Sequence, residues 1–192
     1  MKEIERQKIV LELTTKPIKD WKGICLHHSA TVDGKVNDIE AIRRFHKSWR
    51  VDGVIVDEKT YTRKLKDNDG HTFLKPWKEI GYHFLTEQRG EEIVWDFGRP
   101  LDMDGAHAGT SKSNFFNTAY IGVCAVGNYD KIEPPKEIWD TCLEICRVLT
   151  SYFEIPKQCV IGHREVYDQL FITREKTCPG LKWDLQAFRD QL

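Results

Sequence analysis

The chain is expected to fold as an α/β protein, a single domain with one mixed β-sheet covered by α-helices. Three observations carry that expectation. Short apolar runs of strand length alternate with segments whose apolar residues recur at helical spacing, the pattern of a sheet with helices packed on it. One of those runs, AYIGVCAVG (119–127), is apolar almost without interruption, which suits a central strand covered on both faces. The 192 residues, 40% of them hydrophobic, suffice for one core.

The elements follow in order. Residues 1–21 show little periodicity and are expected to be a lead-in. GICLHHSAT (23–31) reads as a strand and its exit, with Ile24 and Leu26 on one face and Cys25 and His27 on the other. NDIEAIRRFHKSW (37–49) reads as a helix. Asn37 stands as N-cap with Glu40 three residues on, and Ile39, Ile42, Phe45 or His46, and Trp49 form the inner stripe. Residues 51–80 mix short β-rich pieces with the charged, turn-prone KDNDGH. About 30 residues are too few for an independent core, so this is read as a hairpin-like insertion.

GYHFLTE (81–87) and EEIVWDF (91–97) read as a hairpin across the turn EQRGE. A polar loop with Gly105 and Gly109 leads into the central strand. PPKEIWDTCLEICRVLTSYF (134–153) is an amphipathic helix with Pro134 and Pro135 suited to its first turn. Its apolar residues Ile138, Cys142, Ile145, Leu149 and Phe153 recur at helical spacing. QCVIGH (158–163) is a short strand, followed by a loop to TCPG (177–180) and a last helix carrying Trp183, Leu185 and Phe188.

Composition excludes several function classes. With 29 basic and 30 acidic residues the net charge is -1, without the basic excess of a nucleic-acid binder or a polybasic membrane anchor. No run approaches the ~18 apolar residues of a membrane span, so no stable membrane association is expected. MKEIERQKIVLELTTKPIKDW lacks the apolar centre of a secretory signal, so synthesis in the cytoplasm is expected. The six cysteines, Cys25, Cys124, Cys142, Cys146, Cys159 and Cys178, include no CxxC pair and read as free thiols. Cys142 and Cys146, four apart on a helix face, read as small core residues.

Four of the seven histidines, His27, His83, His107 and His163, fall at strand ends or in adjoining loops, where a scaffold presents functional groups. Taken singly, each reads as a structural strand-end residue. His46 reads as a helix-surface or boundary residue, and His71 receives no role. Cys178 adds weight to the functional alternative, because a thiol before Pro179-Gly180 in a loop has little reason to be core. His27, His163 and Cys178 each end or follow a separate element, and two neutral imidazoles with one thiolate suit zinc. There is no HExxH, so a helix-borne zinc peptidase site is excluded.

In order, LHHSAT, the helix ending in FHKSW, GYHFL, GAHAG, YIGVCAVGNYD, IGHREV and KTCPG resemble one family. It is the zinc-dependent N-acetylmuramoyl-L-alanine amidases of the amidase type 2 and peptidoglycan recognition protein superfamily, and the pattern looks nearest to the amidase-type phage lysozymes. The resemblance implies that His27, His163 and Cys178, and not His28, hold one Zn2+. It implies that Tyr82 is a catalytic residue beside the zinc water and that Lys176 assists the transition state. His83 and His107 match cleft positions expected to support substrate binding. Without the resemblance, Tyr82 reads as an amphipathic strand-end residue and Lys176 as a solvated loop lysine. The implied reaction cuts the amide between the lactyl group of N-acetylmuramic acid and L-alanine.

Two departures from the family stand out. Relatives pass from the helix to GYHF in a short loop, whereas here the 51–80 insertion intervenes and could wall the cleft or hold a protein partner. Relatives that recycle anhydro-muropeptides carry a catalytic Glu in the central strand and lack the Tyr; here Cys124 and Tyr82 occupy those places. The implied partner is peptidoglycan or a muropeptide, and the protein is expected to be a monomer. The leading expectation is a phage or prophage endolysin, made in the cytoplasm and reaching the wall by lysis or through a holin. A cytoplasmic muropeptide-recycling amidase and a non-catalytic peptidoglycan-binding module are the alternatives, and the retained Cys178 speaks against the second.

Overall fold

The computed structural model describes residues 3–31, 38–67 and 70–192. Its centre is a five-stranded mixed sheet formed by β1 (Gly23–His28), β5 (Phe84–Arg89), β6 (Glu92–Phe97), β7 (Tyr120–Ala125) and β8 (Val160–Gly162), in the order β6-β5-β7-β1-β8. β1 runs parallel to both β7 and β8, β5 runs parallel to β7, and only the edge strand β6 is antiparallel. Every residue of β1 and of β7 is buried, as expected of parallel strands covered on both faces.

The larger core lies on the face of Ile24, Leu26, Ile121 and Val123. Helix α5 (Lys136–Tyr152) covers it with Ile138, Cys142, Ile145, Cys146 and Leu149, and Trp183 and Phe188 close one end. On the opposite face Cys25 packs with Tyr120, Ile161 and Val166. His27 shares the parity of Cys25, so the strand carries it out on this second face.

Several expectations are corrected. The lead-in contains helix α1 (Glu3–Thr15), which seats Ile9 and Leu13 in the main core. The Tyr152 hydroxyl donates to Leu13 O at 2.9 Å and ties α1 to α5. The helix after β1, α2 (Ile39–His46), is capped by Asp38, whose Oδ1 accepts from Ala41 N at 2.6 Å; the expected cap Asn37 lies outside the described residues. Pro135 takes the N-cap of α5, so both prolines precede its first turn. Where a loop to TCPG was expected, α6 (His163–Gln169) begins directly after β8, and Glu165 accepts from Gly162 N at 2.9 Å. The last helix, α7 (Leu185–Asp190), carries Leu185 and Phe188, and Trp183 sits just before it.

The insertion is more elaborate than a hairpin. β2 (Trp49–Val51), β3 (Val54–Val56) and β4 (Phe73–Leu74) form a second sheet in the order β3-β2-β4, with α3 (Glu58–Asp67) between its last two strands in sequence. Asp52 and Gly53, at φ 51° and 76°, make the β2–β3 turn with the two left-handed residues that a tight hairpin needs. Tyr61 of α3 packs on Trp49 and Phe73, at 4.5 and 5.5 Å between centroids. The buried Arg50 guanidinium lies over the rings of Phe45 and Trp77 at 4.8 and 5.0 Å, fastening the insertion to α2. A short helix, α4 (Phe115–Ala119), leads into β7. Among the described residues no helix is long and apolar enough to cross a membrane.

Candidate active site

Three distant pieces of chain meet at the end of the sheet. His27 comes from β1, His163 from the start of α6, and Cys178 from the loop that follows. One donor atom from each lies within 4.8 Å of the other two. The rings of His27 and His163 are 4.8 Å apart between centroids.

The electrostatics prepare these groups for a cation. Burial, with His163 and His107 adding to it, holds His27 well below the usual imidazole range. Burial and the nearby Lys176 cation push His163 down to about 4. Both rings therefore keep a free lone pair at neutral pH. Burial raises the Cys178 thiol, and the Lys176 charge opposes that rise. A divalent cation takes the place of the thiol proton in such a site. His163 Nε2 is buried and meets no protein partner. Two neutral imidazoles and a thiol converging from three elements fit a zinc ion.

The loop that carries Cys178 is held by Arg164, the residue after His163. Its main-chain N donates to Cys178 O at 2.9 Å, and its guanidinium donates to Thr177 O, Gly180 O and, at 2.9 Å, Trp183 O. Sequence reasoning missed this arginine, although its place beside a candidate ligand in HREV was the available signal. Lys176 is exposed on the same loop.

Tyr82 stands just before β5, with its ring 5.1 Å from that of His27. Burial, followed by the surrounding thiols, raises its phenol well above the usual range. The group therefore keeps its proton at neutral pH and acts as a hydrogen-bond donor. Arg99 builds the turn beneath it: Nε donates to Ile80 O at 3.0 Å, Nη2 to Glu79 O at 3.0 Å, and the main-chain N to Tyr82 O at 2.7 Å. His46 is buried rather than on the surface, and its Nδ1 accepts from Gly81 N at 3.1 Å. From Tyr82 a groove of about 350 Å³ runs along α2, lined by Ser29, Thr31, Ile42, Arg44, Phe45 and, from the insertion, Ile55.

The two remaining histidines do not face this groove. His83 is 0% exposed; its Nδ1 accepts from Gly122 N at 2.9 Å, and its Nε2 faces Met103 O at 3.1 Å. With both ring nitrogens engaged by main chain, His83 braces β7 against the loop at Met103. His107 is 8% exposed, with Nε2 at 3.1 Å from Tyr120 O and Nδ1 at 3.0 Å from His27 Nε2. Its ring contacts are thus with a candidate ligand and with main chain. Cys25, His27 and His107 also lie within 4.8 Å of one another, but there the two rings already satisfy each other. His28 points to the other face, where its Nδ1 accepts from Tyr129 N at 3.1 Å.

Fold and site together define a mixed-sheet protein with a three-donor, nitrogen and sulfur site at the ends of its parallel strands. The pattern of the N-acetylmuramoyl-L-alanine amidases matches residues 17–181, and the chain belongs to that family. It is 27% identical over 116 residues to peptidoglycan-recognition protein SD of Drosophila simulans, a match covering 59% of this chain and 58% of that protein. The chain thus spans little more than half the length of this curated relative. Among solved structures, the endolysin N-acetylmuramoyl-L-alanine amidase LysCS from Clostridium intestinale URNW superposes with a TM-score of 0.59 at 20% identity, over 92% of this chain and 88% of that one. The peptidoglycan recognition protein PGRP-SA of Apis mellifera superposes at 0.53 and 16% identity, over 88% and 82%. At these identities the likeness is one of fold.

Proposed function

We propose that the protein is a zinc-dependent amidase that hydrolyses the bond between N-acetylmuramic acid and L-alanine in peptidoglycan, and that it serves as a phage or prophage endolysin. The observation that carries the reading is the convergence of His27, His163 and Cys178 beside the protonated Tyr82 hydroxyl. Residues 1–192 act as one amidase domain in this reading. The 51–80 insertion is part of its cleft, because Ile55 lines the groove next to Tyr82.

The roles follow from the chemistry. A zinc ion held by the three donors supplies Lewis acidity towards a carbonyl oxygen and lowers the pKa of water at the site. As water adds to the amide carbon, the carbonyl oxygen gains negative charge and needs a donor already in place. The Tyr82 hydroxyl can donate there, and Lys176 brings a cation close to His163 and Cys178. The C–N bond then breaks, the nitrogen takes a proton and leaves as the amino group of L-alanine, and the lactyl group keeps the new carboxylate. Arg164 and Arg99 hold the two loops that carry these groups.

The test is mass spectrometry of purified sacculi after digestion with zinc-loaded protein, beside a Cys178→Ala control. New L-alanine amino groups from the unaltered protein alone support the proposal. Cleavage of soluble anhydro-muropeptides with sacculi left intact would move the reading to recycling. Sacculi that are bound but not cut would move it to recognition.

A further inference from the structure

We propose that His107 is a positioning residue that fixes the ring tautomer of His27 and leaves His27 Nδ1 bare for the metal, an inference that rests on the zinc reading above. Hydrogen-bond polarity runs one way through the cluster. Tyr120 O is a carbonyl and can only accept, so the nitrogen 3.1 Å from it, His107 Nε2, carries the hydrogen. A neutral imidazole carries a single ring hydrogen, so with Nε2 protonated His107 Nδ1 is an acceptor. That acceptor lies 3.0 Å from His27 Nε2, which must therefore be the donor. In a neutral imidazole the other nitrogen, His27 Nδ1, then has its lone pair free. Without a fixed partner the ring would divide its time between two tautomers, one of which hides that lone pair under a proton.

The seat of His107 is shaped for a single orientation. A Cβ at Gly122 would stand 2.5 Å from His107 Cδ2, and one at Gly105 would stand 2.3 Å from the same atom. Glycine is thus needed against the ring from two separate segments. Below the ring, Asn117 Oδ1 accepts from both His107 N and Ala108 N, at 2.8 and 2.7 Å. The main chain under the ring is therefore fixed as firmly as the ring itself.

Two measurements test this, with zinc alone as the probe. In the metal-free protein, nitrogen-detected NMR of the imidazoles should show His27 and His107 each protonated on Nε2. A proton on His27 Nδ1 overturns the inference even if zinc binds well. In competition with a chromogenic chelator, His107→Leu should lower zinc affinity about 10–100-fold. His107→Asn, whose amide oxygen can stand where Nδ1 stood, should recover most of that loss. An affinity for His107→Leu within about two-fold of the unaltered protein, or no recovery in His107→Asn, also overturns it. If the leucine variant does not fold, the NMR result on the unaltered protein decides. Failure of the unaltered protein to bind zinc would sink the zinc reading, while the NMR experiment still reports the tautomer.

Discussion

Acid should destabilise this protein well above the pH at which its carboxylates titrate. His46 and His83 are both buried and both pushed down to about 4, His46 by burial and then the Arg50 and Arg99 cations, His83 by burial above all. In the unfolded chain each takes up a proton near the ordinary ~6.5. The folded-state value is depressed, so the unfolded state binds more protons across the interval. The stabilisation is fully present above ~6.5 and is lost as pH falls from there towards 4. Between pH 7.5 and 5.0 each ring gives up about 2 kcal/mol, so the pair gives up about 4 kcal/mol of a total of order 5–15. Glu79, Asp52 and Asp57 are held below the ordinary carboxylate range, and their effects fall at lower pH. The assay is urea unfolding of the metal-free protein at the two pH values. A slope of about 2–3 kcal/mol per molar predicts that these two rings alone lower the midpoint by about 1.3–2 M at pH 5.0, and the likewise depressed His27, His107 and His163 add to the loss in the metal-free protein. His46→Asn keeps an acceptor for Gly81 N and removes one titration, so it should shrink the loss by about 2 kcal/mol. A total loss under about 1 kcal/mol, or an unchanged loss in His46→Asn, would refute the reasoning.

Three further outcomes are expected. Tyr82→Phe removes one hydroxyl donor and should lower amide hydrolysis about 10²-fold while zinc content by elemental mass spectrometry stays the same; loss of the metal as well would assign Tyr82 a structural part. Arg164→Met leaves the carbonyls of Thr177, Gly180 and Trp183 without their donor and should cost about 2–4 kcal/mol in urea unfolding. Leu13→Ala should cost about 2–5 kcal/mol, whereas a cost below about 0.5 kcal/mol would mean that α1 contributes only as a loose segment.

The parts of the fold legible in the sequence are those whose apolar pattern is continuous. β1, β7 and α5 have such patterns, and each lies where its run ends. Helix α1 was not legible, because only Ile9 and Leu13 are seated in the core while Val10 and Leu11 are exposed, which blurs its periodicity. α6 is only seven residues long and opens on His163, so it reads as the tail of a strand. Local motifs named His27, His163 and Cys178, and the fold brings them together. His83 and His107 are placed in the cleft only by the family resemblance; taken singly, each reads as a structural strand-end residue. Their hydrogen-bond partners Met103 O and Tyr120 O are main-chain atoms that no side-chain pattern reveals.

The insertion bears on how far this scaffold is modular. Trp77 N donates to His46 O at 2.9 Å, His46 Nδ1 accepts from Gly81 N, and Arg50 sits between Phe45 and Trp77. The segment bearing Ile55 and the seat of Tyr82 therefore share a single frame. Exchanging residues 51–80 for the short loop of a relative would not prune an appendage. It would remove Trp77 from one side of His46 and re-aim the phenol two residues further on. Chimeras of this protein should therefore keep 45–82 as an indivisible cassette, with joints placed on either side of it.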